Sequence, residues 1–295
     1  MSYNIVLWGL GKCYRTYRNY IKQLESTGVI HVCGVVSVDN FEMSEIDGWH
    51  YYVYEDVRNV AFDYLIILNE SYEQAIIDNL LEANIEREKI IPGRIFNLPN
   101  FDFERYIQLK KSRISIISRT CLGGMLSRIL GLEYLSPFRN MNIGEEDYIK
   151  LLNNFEEYMK YDLVYSGEQL FNKEDQIYYP VMNLNDIRIR FPHIRRASRA
   201  IFEWNDRKDR INRSNLFVVN FTEREDIAKQ FSEIPFEHKV CFTNFRSNIP
   251  NTVFLPPCRK WNSLEHEVHL GVCDGLLFVD PVKLLMKEND FIVFS

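Results

Sequence analysis

Ile5-Val6-Leu7-Trp8-Gly9-Leu10-Gly11-Lys12-Cys13-Tyr14-Arg15 is the stretch on which the fold turns. Asn4–Trp8 is a short apolar run of the kind that forms a buried strand, and the spacing after it predicts a helix from about Lys12 to Ser26. Between them, Gly9 and Gly11 fit two tasks of a dinucleotide-binding loop. One glycine makes the tight turn, and the other lets backbone N–H groups approach a pyrophosphate at the helix N-terminus. Tyr14 stands where the fingerprint has a third glycine, the one that lets helix and strand pack closely. Asp39 closes the next strand, a little later than the acid that binds ribose hydroxyls. The plain alternative is an ordinary strand-to-helix turn.

The neighbouring segments continue the alternation. Val29–Val38, Tyr51–Tyr54, Tyr64–Leu68 and Lys89–Ile91 read as strands, and Tyr72–Asn84 as a helix with Ala75, Ile76, Leu80 and Ala83 at helical spacing. Strands alternating with helices predict an α/β fold, here a mostly parallel, doubly wound sheet. "FNLPNFDFERYIQLKK" reads as a connector with a short helix, and a boundary near Ser112 divides the chain into domains 1–111 and 112–295.

The second part repeats the pattern. Ile114–Ser118, Ile187–Phe191, Leu216–Asn220, Val240–Thr243, Val253–Leu255, Leu276–Val279 and Phe291–Phe294 read as strands. Leu122–Leu130 contains a helix start after Gly123-Gly124, and Glu145–Lys160, Arg199–Ile211, Arg224–Glu233 and Pro281–Glu288 read as helices. Glu145, Glu146 and Asp147 occupy a first turn, where the helix dipole favours negative charge. Two Rossmann-like α/β domains are therefore expected.

At 295 residues, two domains are the default, and 46% hydrophobic with 14% aromatic residues supply a core that excludes disorder. The net charge of −6 argues against nucleic acid as a partner. No apolar run reaches the roughly 20 residues of a membrane span, and the N-terminus lacks the pattern of a signal peptide. Six cysteines without a Cys-x-x-Cys pair are read as reduced thiols of a cytoplasmic protein.

Chemistry gathers at two places in the second part. Cys121, with Gly123 and Gly124, lies just past a strand and just before a helix, where α/β sheets place ligands and where backbone N–H groups can hold an anion. A cysteine at a helix N-terminus can be nucleophilic, although most free cysteines are small core residues. Asp186–Arg213 then packs nine Arg and Lys against four acids. Arg199–Glu203 and Asp206–Arg210 are i,i+4 pairs, whereas Arg195, Arg196 and Arg207 lack obvious local partners. Arginines at the margin of a core, Arg207 and Arg210 here, can grip phosphate with their planar forks. His193, at the end of a strand, is a candidate acid or base; a satisfied core histidine is the alternative. His266 and His269 would point to opposite faces of a strand and find no third zinc ligand. Asp274 and Asp280 flank a strand, and Asp280 fits a helix cap before Pro281.

Two resemblances add to this. "NIVLWGLGKCYR", "CGVVSVDN" and "FDYLIILNESYEQAIIDNLLEANIEREKIIP" resemble the N-terminal Rossmann-like domain of bacterial sugar-modifying and polysaccharide-assembly enzymes. That likeness implies a nucleotide or nucleotide-sugar facing Gly9, Gly11 and Lys12, with Asp39 on the ribose. "ISIISRTCLGGM", "LSPF", "YYPVMNLNDIRIRFPHIRRASRAIFEWNDRKDRIN", "NLFVV" and "CFTN" resemble a family encoded in bacterial exopolysaccharide, capsule and lipopolysaccharide gene clusters, often labelled acyltransferase. The family pattern has asparagines at Arg119 and Thr120 and an aromatic at Leu122. The likeness carries over Cys121, His193, Trp204, Arg207 and Arg210.

Together these readings imply a glycosyl- or acyltransferase of surface polysaccharide biosynthesis. It would take a small phosphate-containing donor, such as a nucleotide-sugar, and a carbohydrate acceptor. His193 and Cys121 would be catalytic; Gly9, Gly11, Lys12, Asp39, Gly123, Gly124, Arg207 and Arg210 would bind the donor; no metal is expected. The alternative is a non-catalytic nucleotide-binding protein of the same pathway. An NAD-dependent oxidoreductase would need a hydride-facing pocket that no motif marks.

Overall fold

The computed structural model describes residues 2–39, 42–139, 141–172, 174, 176–256, 264–273 and 278–293, with backbone only at 266, 267, 269, 270 and 273. By internal contacts the chain divides into two compact units. The first holds Met1–Lys110 and Ile129–Leu132, the second Lys111–Arg128 and Glu133–Ser295.

The first unit is built on β1 (Tyr3–Trp8), α1 (Lys12–Ser26), β2 (Ile30–Ser37), β3 (Glu45–Ile46), β4 (Trp49–Val53), β5 (Tyr64–Ile67), α2 (Glu73–Glu82), β6 (Ile90–Pro92) and α3 (Phe103–Lys111). The strands form one sheet in the order β3-β4-β2-β1-β5-β6. All neighbours run parallel except the short β3, which pairs antiparallel with β4 at the edge. Val6, Val36, Leu65, Ile67 and Ile90 belong to one buried cluster with Ile77 and Leu80 of α2. These strands therefore read as continuous apolar runs instead of alternating ones.

The second unit contains two sheets. The helices and strands in order are β7 (Ser115–Ser118), α4 (Leu122–Ile129), β8 (Asn142–Ile143), α5 (Glu145–Asn153), α6 (Phe155–Tyr158), β9 (Leu163–Asn172), β10 (Ile177–Leu184), β11 (Ile187–Arg190), α7 (Ala197–Lys208), β12 (Leu216–Thr222), α8 (Glu225–Glu233), β13 (Lys239–Thr243), β14 (Thr252–Phe254), α9 (Leu264–Cys273) and α10 (Pro281–Leu285). A four-stranded parallel sheet has the order β14-β13-β12-β7, and an antiparallel one the order β8-β11-β10-β9. The Ile143 amide of β8 donates to the Arg119 carbonyl at 2.8 Å, which fixes the antiparallel sheet against the end of β7.

The antiparallel sheet is a departure from the Rossmann-like pattern expected of this half. Its long hairpin, β9 and β10, lies in a stretch where polar residues and Pro180 interrupt the apolar alternation. The single helix expected over Glu145–Lys160 is two, because the backbone breaks at Asn154 (φ −129°, ψ 36°). His266 and His269 lie on helix α9 and not on a strand, so the opposite-face argument does not apply to them; their side chains fall outside the described residues, as does Asp274. Asp280 caps α10, its Oδ1 accepting the amides of Val282 at 2.9 Å and Lys283 at 3.1 Å, with Pro281 opening the helix. The strands expected at Leu276–Val279 and Phe291–Phe294 reduce, among described residues, to a bridge between Val279 and Ile292.

Candidate functional site

β7 and β12 point their carboxyl ends the same way, and Cys121 lies just beyond β7, between the buried Thr120 and Leu122. The Cys121 carbonyl accepts the Met125 amide at 2.9 Å, so Cys121 stands at the N-terminal boundary of α4. His193 comes from another direction, in the turn between β11 and α7. Phe191 and Ile194 are buried on either side of it, and the Ile194 amide donates to the Phe191 carbonyl at 3.0 Å. A turn anchored by two apolar side chains leaves His193 facing outward. Its Nε2 lies 3.1 Å from Cys121 Sγ, a pair formed by residues 72 positions apart.

The electrostatics of the thiol follow from its surroundings. Burial pushes the Cys121 thiol up to about 11, and the Glu265 carboxylate adds to the shift. Cys121 is therefore a neutral thiol at neutral pH, and a thiolate forms when a base takes its proton. Cys241 differs: it is fully buried within β13, its thiol is driven up to about 12, and it serves packing.

A polar cluster that sequence reading did not assemble occupies the same end of the sheet. Arg119 Nε donates to Asn220 Oδ1 at 3.0 Å, and its Nη2 donates to the Phe221 carbonyl at 3.0 Å. The guanidinium lies 4.2 Å from the centre of the Phe221 ring and 3.5 Å from a Glu145 carboxylate oxygen. Burial lowers the pKa of Arg119, and Glu145 and Glu265 work against that. Glu265 thus acts on both Arg119 and Cys121. The available signal was Asn220, a polar residue in the otherwise apolar strand "LFVVN".

The glycines after Cys121 have a packing role. A Cβ on Gly123 would sit 2.8 Å from Ser118 Oγ and 3.1 Å from Ile116, and one on Gly124 would sit 3.1 Å from Arg139. The Gly123 amide already donates to Ser118 Oγ at 3.0 Å. Both glycines are buried, so the anion-binding role expected of Gly123 and Gly124 gives way to close contact between helix and strand.

Arg207 and Arg210 are likewise engaged elsewhere. Arg207 is buried and donates to Glu203 at 2.7 Å, the i,i+4 partner that sequence reading overlooked. Arg210 pairs with Asp206 at 2.5 Å and lies 3.6 Å from Glu133. Neither guanidinium fork is left open for phosphate. Arg199 pairs with Glu203 at 2.6 Å, as the spacing predicts.

In the first unit, Gly9 takes φ +101°, and a Cβ there would meet the Leu68 carbonyl at 3.3 Å, so the turn demands glycine. Gly11 opens onto free space, and α1 begins with no side-chain cap and no acid in its first turn. Tyr14 does not fill that space. Its buried ring packs edge-on to Trp49, and its hydroxyl donates to Asp47 at 2.6 Å. Lys12 and Asp39 are exposed; the Asp39 amide donates to Ser37 Oγ at 3.2 Å, and its carbonyl accepts the Tyr51 hydroxyl.

Residues 93–294 match the family described as "Domain of unknown function (DUF1919)", and residues 1–91 match the one described as "C2185-like, N-terminal". A Haemophilus influenzae protein described as "Uncharacterized protein" is 28% identical over 150 residues, which cover 49% of this chain and 69% of that protein.

Proposed function

The chain belongs to the DUF1919 family, whose description names no chemistry, and from the site itself we propose an acyltransferase that works through a Cys121 thioester. The observation that carries the proposal is the 3.1 Å contact between Cys121 Sγ and His193 Nε2. A nucleophile within reach of a base is the requirement for covalent acyl transfer. His193 takes the thiol proton as Sγ attacks the carbonyl of the donor. The bond from carbonyl to leaving group breaks, the leaving group departs with the proton from His193, and the acyl group stays on sulfur. An acceptor hydroxyl then gives its proton to His193 and attacks the thioester, which returns Cys121 to the thiol. Glycosyl transfer has less support, since a sulfur nucleophile beside a base is the arrangement of covalent acyl transfer.

For the acceptor we propose a carbohydrate hydroxyl of a surface polysaccharide precursor, handled in the cytoplasm; the sequence resemblance supports this. No helix among the described residues is long and apolar enough to cross a membrane. The test is transfer of acetate from an acetyl thioester to a panel of monosaccharide acceptors, followed by release of free thiol. Wild type transfers, and Cys121→Ala does not. Equal transfer by both proteins would end the proposal.

A second, separate activity is favoured by the first unit: nucleotide binding at a Rossmann-like loop. Open space beside Gly11 and the uncapped start of α1 support it. A panel of nucleotides and nucleotide-sugars should include one that raises the melting temperature of wild type but not of Gly11→Leu. No shift with any member contradicts it.

A further inference from the structure

His193 also lines an open depression of about 660 Å³, together with Arg195, Arg196, Arg199, Phe202 and Glu203. Its surface is strongly basic in a chain whose net charge is −6. Three guanidiniums face one carboxylate, and that carboxylate is already claimed from outside the depression by Arg207 at 2.7 Å. Burial alone would raise the pKa of Glu203, but Arg207 and Arg199 overcome it and hold the group below the usual carboxylate range. Glu203 is thus fully charged and fully engaged at neutral pH, and a positive excess remains.

The arginines are presented differently. Arg195 is steadied by its bond to the Pro192 carbonyl at 3.1 Å and lies 5.7 Å from the centre of the Phe171 ring. Arg196 is exposed, and its guanidinium has no bonded partner among the described residues. Phe202 and Phe171 stand 61% and 55% exposed, an unusual state for phenylalanine beside so much positive charge. Arginine forks with aromatic faces are what recognition of phosphate groups on an aromatic base requires.

We propose that this depression binds the phosphate-bearing end of the acyl donor, a thioester of the phosphopantetheine class, with Arg195 and Arg196 on its phosphates. This rests on the acyl-transfer reading. The depression and the thiol share His193, so a donor anchored there has its thioester at Cys121. The phosphate chemistry is common to a free coenzyme-A-type nucleotide and to phosphopantetheine alone, and the donors tested below separate the two.

Labelling of the Cys121 peptide is followed by mass spectrometry with acetyl-CoA, S-acetyl-4′-phosphopantetheine and S-acetyl-pantetheine, which lacks phosphate. In wild type, acetyl-CoA should label at least about ten-fold faster than S-acetyl-pantetheine, roughly the discrimination of one charged contact. Equal labelling by S-acetyl-4′-phosphopantetheine assigns recognition to the single phosphate, and an intermediate rate assigns it to the nucleotide as well. Arg196→Glu, at an exposed position where folding is not at risk, should bring the ratio near one. A ratio near one in wild type, or unchanged in Arg196→Glu, overturns the proposal. If no thioester labels Cys121, the acyl-transfer reading fails, and calorimetry decides the depression by itself. Adenosine 3′,5′-bisphosphate or 4′-phosphopantetheine should bind Cys121→Ala and lose binding in Cys121→Ala/Arg196→Glu; no binding of either to the first overturns the proposal.

Discussion

Cys121 and His193 divide the work according to their surroundings. Burial keeps the thiol protonated at rest, so reactivity waits for a base, and the nearest one is the His193 ring 3.1 Å away. Removing it as His193→Ala should slow acyl transfer by about 10²–10⁴-fold, the usual contribution of a positioned base, without changing the fold. Alkylation of Cys121 by iodoacetamide should be slow near neutral pH and still climbing beyond about pH 9, because the thiolate population follows the raised value. Saturation near the ordinary thiol range would show that the thiol is not shielded. The arginines of α7 separate in the same way. Arg207→Ala leaves the half-buried Glu203 with Arg199 as its remaining partner, and should cost about 1–2 kcal/mol in a urea melt. Arg210→Ala removes a more exposed pair and should cost no more than about 1 kcal/mol.

The elements show why glycine means different things at similar motifs. Gly123→Ala would push a Cβ into Ser118 Oγ and Ile116, and should destabilise by about 1–3 kcal/mol. Gly11→Ala meets nothing and should stay within about 0.5 kcal/mol of wild type in the same melt. Sequence alone could not separate these two, since both follow a strand and precede a helix. The alternation of the first hundred residues was readable because its parallel strands are apolar throughout, and α1 falls at the residues its spacing predicts. The β9–β10 hairpin was not, because exposed edge residues such as Val164, Tyr165 and Phe171 blur the two-residue period. At the site, Cys121 and His193 were each legible from their places at strand ends. Their meeting was not, since it depends on a β8–β11–β10–β9 sheet that no local pattern announced. Arg207 misled because its partner Glu203 sits one helical turn back, where the carboxylate also serves Arg199.

Across the molecule, acidic excess and local basicity coexist, and the carboxylates set the response to acid. The Tyr14 hydroxyl, with Lys22 and Arg18, holds the Asp47 carboxyl below its usual range, and Arg207 and Arg199 do the same for Glu203. A carboxyl depressed in the folded state stabilises above its unfolded pKa, and that stability is lost as pH falls through the folded value. The urea midpoint should therefore be nearly flat from about pH 8 to about pH 5 and fall below about pH 4, with a shallower fall in Asp47→Asn. The proposed acyl transfer, by contrast, rests on one short contact between two side chains carried by different elements. Intact-mass measurement of the protein after brief exposure to an acetyl thioester tests it most directly. The predicted result is a single acetyl adduct that maps to Cys121, forms more slowly in His193→Ala and is discharged by the acceptor. A protein that stays unmodified, or an adduct whose rate is the same in His193→Ala, would contradict the account.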